Sequence, residues 1–298
     1  MNHSTFGAGL NVMYVALCAA LLLTLSGCMA GRGDSGSGEP RIDTRHQSLN
    51  HDSRARYIIL HYTQETFERS LEILTRGRVS SHYLVSDTAK PRSYRLVAED
   101  RRAWHAGQSF WQGESALNAS SIGIEIVNLG PTGNADGSFH PYPQSQIDEV
   151  IRLVRDIAQR HQVAPHRILG HSDIAPQRKI DPGPQFPWRQ FFEAGLVPWP
   201  DEAQVHAALP DYTSQLPDVV WYQSQLADYG FQVPRTGLLD PETRRVISNF
   251  QAKYRPSRHD GEPDAETAAI LAVLARPEGR VMRQADGSVA VYRWRDQK

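Results

Sequence analysis

Tyr57-Ile58-Ile59-Leu60-His61-Tyr62 is an unbroken β-rich apolar run, with Arg54 and Arg56 before it and Thr63-Gln64 after it. Such a run, without polar alternation, predicts a central strand buried on both faces with His61 near its end. Working outward, Thr66 is placed to cap a helix through about Thr75 that ends near Gly77. Further strands are expected at Ser81 to Val85, Arg95 to Ala98 and Ile122 to Val127. From Gln146 to Gln162 the apolar residues Ile147, Val150, Ile151, Val154, Ile157 and Ala158 recur at spacings of three and one, the pattern of a helix laying one face on a sheet. Arg167-Ile168-Leu169-Gly170-His171 reads as a short strand ending in a turn, and a last helix is expected from Trp188 to Ala194. Strands interleaved with helices predict an α/β domain over 45–200, a central mixed β-sheet flanked by helices.

A second unit is expected to begin near Asp211, after a stretch marked by Pro198, Pro200 and Pro210. Val219 to Tyr229, Pro241 to Tyr254 and Asp264 to Leu274 predict a small three-helix bundle over 211–275. Asp240-Pro-Glu-Thr243 and Asp264-Ala-Glu-Thr267 echo one another, each opening a helix as an N-capping box does. Residues 276–298 form a tail with a candidate hairpin around Asp286-Gly287, to which the sequence assigns no role.

The whole chain has 298 residues, enough for about two domains. With 40% hydrophobic and 22% charged residues it is neither a disordered chain nor a multi-span membrane protein. Lys and Arg number 32 against 33 Asp and Glu, so no basic footprint for nucleic acid exists. The two cysteines, Cys18 and Cys28, lie near the N-terminus, so any metal in the body of the chain must sit on His, Asp or Glu. Val12 to Leu25 is almost wholly apolar, too short to cross a core of about 30 Å as a helix and of the length of a signal-peptide h-region. It ends in Leu25-Ser26-Gly27-Cys28, which resembles a bacterial lipobox. That resemblance implies a lipoprotein signal peptide over 1–27, a lipidated Cys28 that anchors the chain to a membrane, and a Gly/Ser-rich tether over 28–44. Met29, where Asp would retain a lipoprotein at the inner membrane, implies an outer-membrane location facing the periplasm.

Chemistry concentrates in Gly170-His171-Ser-Asp-Ile-Ala-Pro-Gln-Arg-Lys179-Ile-Asp181-Pro182-Gly183. A hydrolytic zinc site needs three His or carboxylate ligands and an open position, and His61, His171 and Asp181 supply that set if their strands are neighbours. By spacing alone the alternative is a hydrogen-bonded core histidine, the commoner role of a lone histidine on a strand.

Ile59-Leu60-His61-Tyr62-Thr63, Ser81-His82-Tyr83-Leu84-Val85, Trp104-His105-Ala106-Gly107, Ile122-Gly123-Ile124-Glu125 and Gly170-His171-Ser172-Asp173 through Asp181-Pro182-Gly183 follow one another in that order. In this the chain resembles the zinc-dependent N-acetylmuramoyl-L-alanine amidases of the type-2 amidase family, whose fold also underlies the peptidoglycan recognition proteins. The resemblance implies Zn2+ held by His61, His171 and Asp181, with Glu125 as acid/base carboxylate and Lys179 as catalytic lysine. It makes Trp104, His105 and His82 candidates for substrate contact, His82 equally a hydrogen-bond partner behind the site. Gly230-Phe231, Gly237-Leu-Leu-Asp240-Pro-Glu-Thr243 and Ile247-Ser-Asn-Phe250-Gln251 are similar to a helical peptidoglycan-binding domain. The implied function is hydrolysis of the amide between the lactyl group of N-acetylmuramic acid and L-alanine, in cell-wall turnover or recycling. The rivals are a non-catalytic recognition protein and a zinc peptidase cutting within the stem peptide.

Overall fold

The computed structural model describes residue 40 and residues 42–293; the expected signal peptide and Cys28 lie outside the described residues, as does most of the tether. The chain divides into two compact units, residues 1–50 and 51–298, and the fold that follows is that of the second.

Strand β1 (Tyr57–Tyr62) is buried along its whole length and lies inside a five-stranded sheet. It runs parallel to β6 (Ser121–Ile126) on one side and to β7 (Ile168–Gly170) on the other. Beyond β6 come β2 (Tyr83–Val85), also parallel, and β3 (Ser93–Arg95), antiparallel, so the sheet is mixed. The two-residue strands β4 (Phe110–Trp111) and β5 (Glu114–Ser115) form a separate hairpin. Helix α1 (Phe67–Arg76) starts where Thr66 accepts the Arg69 N–H, and α2 (Gln144–His161) buries Ile147, Val150, Val154 and Ile157. The two helices cover opposite faces. Leu84 packs with Leu74 of α1, whereas its strand neighbours Tyr83 and Val85 belong to the larger core that includes the α2 residues. The pairing Leu84↔Glu125 and Glu125↔His61 puts both Glu125 and His61 on the α1 face, at the carboxyl ends of parallel strands.

After β7 the chain makes one helical turn, α3 (His171–Ile174), where a plain turn was expected; the Asp173 carboxylate accepts the Gly170 N–H and closes it. Helix α4 (Trp188–Glu193) and strand β8 (Trp199–Pro200) follow. The helical region holds four helices among the described residues, one more than expected: α5 (Glu202–Ser214), α6 (Val219–Tyr229), α7 (Pro241–Tyr254) and α8 (Ala265–Ala275). The extra helix was hidden by Pro210, which lies inside it. Its place follows from α8, buried continuously from Thr267 to Leu274; a helix apolar all round needs neighbours on every side, and α5 is one. The tail does form a hairpin, β9 (Arg280–Arg283) and β10 (Val289–Val291), and β9 pairs with β8.

Candidate active site

Three side chains converge where β1, α3 and the loop after it meet. His61 Nδ1 lies 2.9 Å from His171 Nδ1, and Asp181 Oδ2 lies 3.1 and 3.0 Å from those two nitrogens. All three residues are buried. Ligand bonds of about 2.0–2.2 Å in a tetrahedron imply ligand-to-ligand edges of roughly 3.4 Å, close to this triangle.

The surroundings decide which nitrogens carry protons. The Ser121 hydroxyl donates to the Leu117 carbonyl at 2.6 Å, so its oxygen accepts from His105 Nε2–H at 3.1 Å. His105 Nδ1 then accepts from His61 Nε2–H at 3.0 Å, leaving His61 Nδ1 with a lone pair. His171 Nε2–H likewise donates to the Ala106 carbonyl at 3.2 Å. Two imidazole lone pairs and a carboxylate thus point at one spot with no proton between them, an arrangement that a divalent cation satisfies. Burial, reinforced by His171, lowers the His61 pKa to about 4, only partly offset by Asp181.

The ligand triangle opens on a cavity of 180 Å3 whose lining includes Glu125, Lys179, Tyr62 and Trp104. Glu125, directly across the ladder from His61, has its buried Oε2 without a hydrogen-bond partner. Burial, with Asp181 nearby, pushes its pKa well above the ordinary value against the pull of Lys179. A buried carboxylate oxygen left unpaired beside a cation site is poised for water or substrate. Trp104 is half exposed under the Arg102 guanidinium and also lines an adjoining groove of 710 Å3.

The structure therefore gathers His61, His171, Asp181, Glu125, Lys179 and Trp104 around one cavity. The other two candidates lie behind it. His105 reaches the cavity wall, but both ring nitrogens are engaged by His61 and Ser121. His82 is wholly buried; its Nδ1 accepts the Gly123 N–H at 3.0 Å and its Nε2 faces the Arg101 carbonyl at 3.1 Å, which leaves no face for substrate. Two residues escaped notice in the sequence. Tyr62, one residue past His61, lines the cavity. Arg178 pins the Trp104 loop by donating to the carbonyls of Ala106 and Gln108, and its place beside Lys179 was the only signal.

Residues 51–184 match the N-acetylmuramoyl-L-alanine amidase family, and residues 215–271 match a peptidoglycan binding domain family. The chain is 41% identical over 271 residues to the N-acetylmuramoyl-L-alanine amidase AmiD of Escherichia coli K12, covering 89% of this chain and 98% of that protein. A solved complex of E. coli AmiD with anhydro-N-acetylmuramic acid-L-Ala-D-gamma-Glu-L-Lys matches with a TM-score of 0.70 at 40% identity, over 78% of this chain and 93% of that one. Pseudomonas aeruginosa AmpDh3 in complex with anhydromuramic pentapeptide matches with a TM-score of 0.72 at 38% identity, over 78% and 96%.

Proposed function

The chain belongs to the N-acetylmuramoyl-L-alanine amidase family, and on that premise we propose how its own residues hydrolyse peptidoglycan. It is a peptidoglycan amidase, cleaving the bond between the lactyl carbonyl of N-acetylmuramic acid and the nitrogen of L-alanine in wall recycling. His61, His171 and Asp181 would hold Zn2+, and the observation that carries this reading is their convergence as three proton-free donors beside an unpartnered Glu125 oxygen. When bound there, zinc supplies Lewis acidity, polarising the scissile carbonyl and making water acidic near neutral pH. Glu125 accepts the proton of the attacking water and delivers one to the departing L-alanine nitrogen, the transfer that expulsion of an amine requires. Lys179, on the same cavity wall, places a positive charge for the carbonyl oxygen as it turns anionic. Trp104 offers a half-exposed indole to the sugar side of the bond.

The helical region binds peptidoglycan, in keeping with its family match. The lipobox Leu25-Ser26-Gly27-Cys28 supports an outer-membrane lipoprotein with its catalytic body in the periplasm. The test of the reaction is incubation of the zinc-loaded protein with a muramoyl-tripeptide and identification of products by mass. Release of the intact tripeptide with a free lactyl carboxylate is expected. A cut between amino acids, or an unaltered substrate, overturns the assignment.

A further inference from the structure

Three of the five residues assigned to chemistry, His171, Lys179 and Asp181, sit on one irregular stretch whose only regular element is the single turn α3. One helical turn does not hold itself in place in water, so the position of this loop must be fixed by what packs against it. That support comes from α7 of the helical region. Asn249 is 4% exposed, and its Nδ2–H2 faces three loop carbonyls, those of Lys179 at 3.1 Å, Pro176 at 3.3 Å and Ser172 at 3.5 Å. An amide has only two hydrogens to share among them, so its whole donor capacity is spent on the loop. One helical turn further on, Lys253 is 8% exposed and donates to Asp173 Oδ2 at 2.7 Å, while its ammonium lies 4.3 Å from the Trp188 ring centre. Asp173 itself is 1% exposed, and the same oxygen accepts the Gly170 N–H at 2.8 Å.

Both polar residues occupy one face of α7, four residues apart, while Val246, Ile247 and Phe250 fill its apolar core contacts. Burying an amide and an ammonium on a helix that has apolar alternatives is costly unless the partners are fixed. Here the partners are the backbone and a carboxylate of the loop. Lys253 grips the His171 end through Asp173, and Asn249 grips the Lys179 end, two residues before Asp181.

We propose that Asn249 and Lys253 are positioning residues for the amidase reaction: the helical region holds the loop carrying His171, Lys179 and Asp181 in register with His61 and Glu125. The proposal rests on the amidase reading, and it gives the peptidoglycan-binding region a second duty, exerted inside the molecule. Displacement of a reacting group by about 1 Å costs on the order of 100-fold in rate, so a partial loosening of the loop is expected to cost about 10-fold.

The test uses the full-length zinc-loaded protein and its variants Asn249→Ala, Lys253→Met, Lys253→Met with Asp173→Asn, and Ile270→Val. The last trims the buried core of α8 without touching the loop, and so controls for lost stability. Each is measured for kcat and KM on a muramoyl-tripeptide, for release of zinc to a chelator, and for Tm. Asn249→Ala and Lys253→Met are expected to lower kcat about 10-fold with KM within twofold of wild type, and to release zinc faster. Restoring neutrality with Asp173→Asn is expected to recover most of the Lys253→Met loss, because the new amide oxygen still accepts the Gly170 N–H. The proposal is overturned if the two single variants lose no more kcat or zinc retention than Ile270→Val does, or if only KM or Tm moves. An inactive wild type would count against the amidase reading instead, and zinc release, which needs no substrate, still discriminates among the variants.

Discussion

Gly123 is the residue through which the proton order behind the metal site can be tested most sharply. It lies on β6 two residues before Glu125, on the same sheet face, and its lack of a side chain makes room for the His105 ring. A Cβ at this position would sit 2.4 Å from His105 Cγ and 2.6 Å from both Cδ2 and Nδ1, where ordinary contact begins near 3.4 Å. Gly123→Ala therefore forces the ring away by about 1 Å, an overpacking that costs roughly 1–3 kcal/mol. That movement takes the 3.0 Å contact between His105 Nδ1 and His61 Nε2 out of hydrogen-bond range. Losing such a partner typically lowers metal affinity by about 10–100-fold, or roughly 1.4–2.8 kcal/mol. The assay is competition for zinc against a chelator of known affinity, on protein whose fold is checked by circular dichroism. The same substitution in a His105→Ala background should cost nothing further, because the clashing ring is gone. A folded Gly123→Ala protein that holds zinc as tightly as wild type, or a double variant whose losses add, would refute the relay from His61 through His105 to Ser121.

Glu125→Gln should keep zinc but lower kcat by about 100- to 10,000-fold, whereas Asp181→Ala should lose zinc and activity together; parallel metal analysis and product assays on both proteins check this. Burial lowers the His82 pKa from an ordinary 6.5 to about 4. Between those values the unfolded chain takes up a proton that the native chain refuses, so stability falls by up to about 3 kcal/mol as pH drops through that window and is unaffected by this group above it. His82→Gln should flatten the curve of Tm against pH from 6.5 to 4, and an unchanged slope would rule the group out. Cys28→Ala should move the protein from the membrane to the soluble periplasmic fraction on cell fractionation, and retention in membranes would end the lipobox reading.

The parts of the fold legible in the sequence were those where one residue pattern serves one local purpose. The apolar run Tyr57–Tyr62 could only be a strand covered on both faces, and Thr66 could only start a helix that its hydroxyl caps. Helices α7 and α8 announced themselves through Asp240 and Asp264, each of which accepts a backbone N–H three residues on. Helix α5 was hidden because a proline breaks helices by local rules, while the demand for a neighbour along α8 is set by tertiary packing. The cavity residues were legible as motifs, yet their division into front and back was not. Whether His82 and His105 touch substrate depends on Gly123 opening a place on the sheet for one ring and donating its N–H to the other. Asn249 and Lys253 left only a faint trace, two polar residues among the apolar positions of α7, because their partners lie 70 to 80 residues away in the chain.

The pairing of Trp199 with Val281 and of Pro200 with Arg280 fixes where the chain enters and leaves its helical region. The two crossings are adjacent rungs of one antiparallel ladder, about 5 Å apart. Topologically, the four helices are a cassette inserted into a closed frame, and changes in their length or loops would not pull on the strands that lead to β7 and the active-site cavity. Whatever the cassette does to catalysis therefore passes laterally, through packed contacts such as those that Asn249, Lys253 and Arg245 of α7 make with the loop.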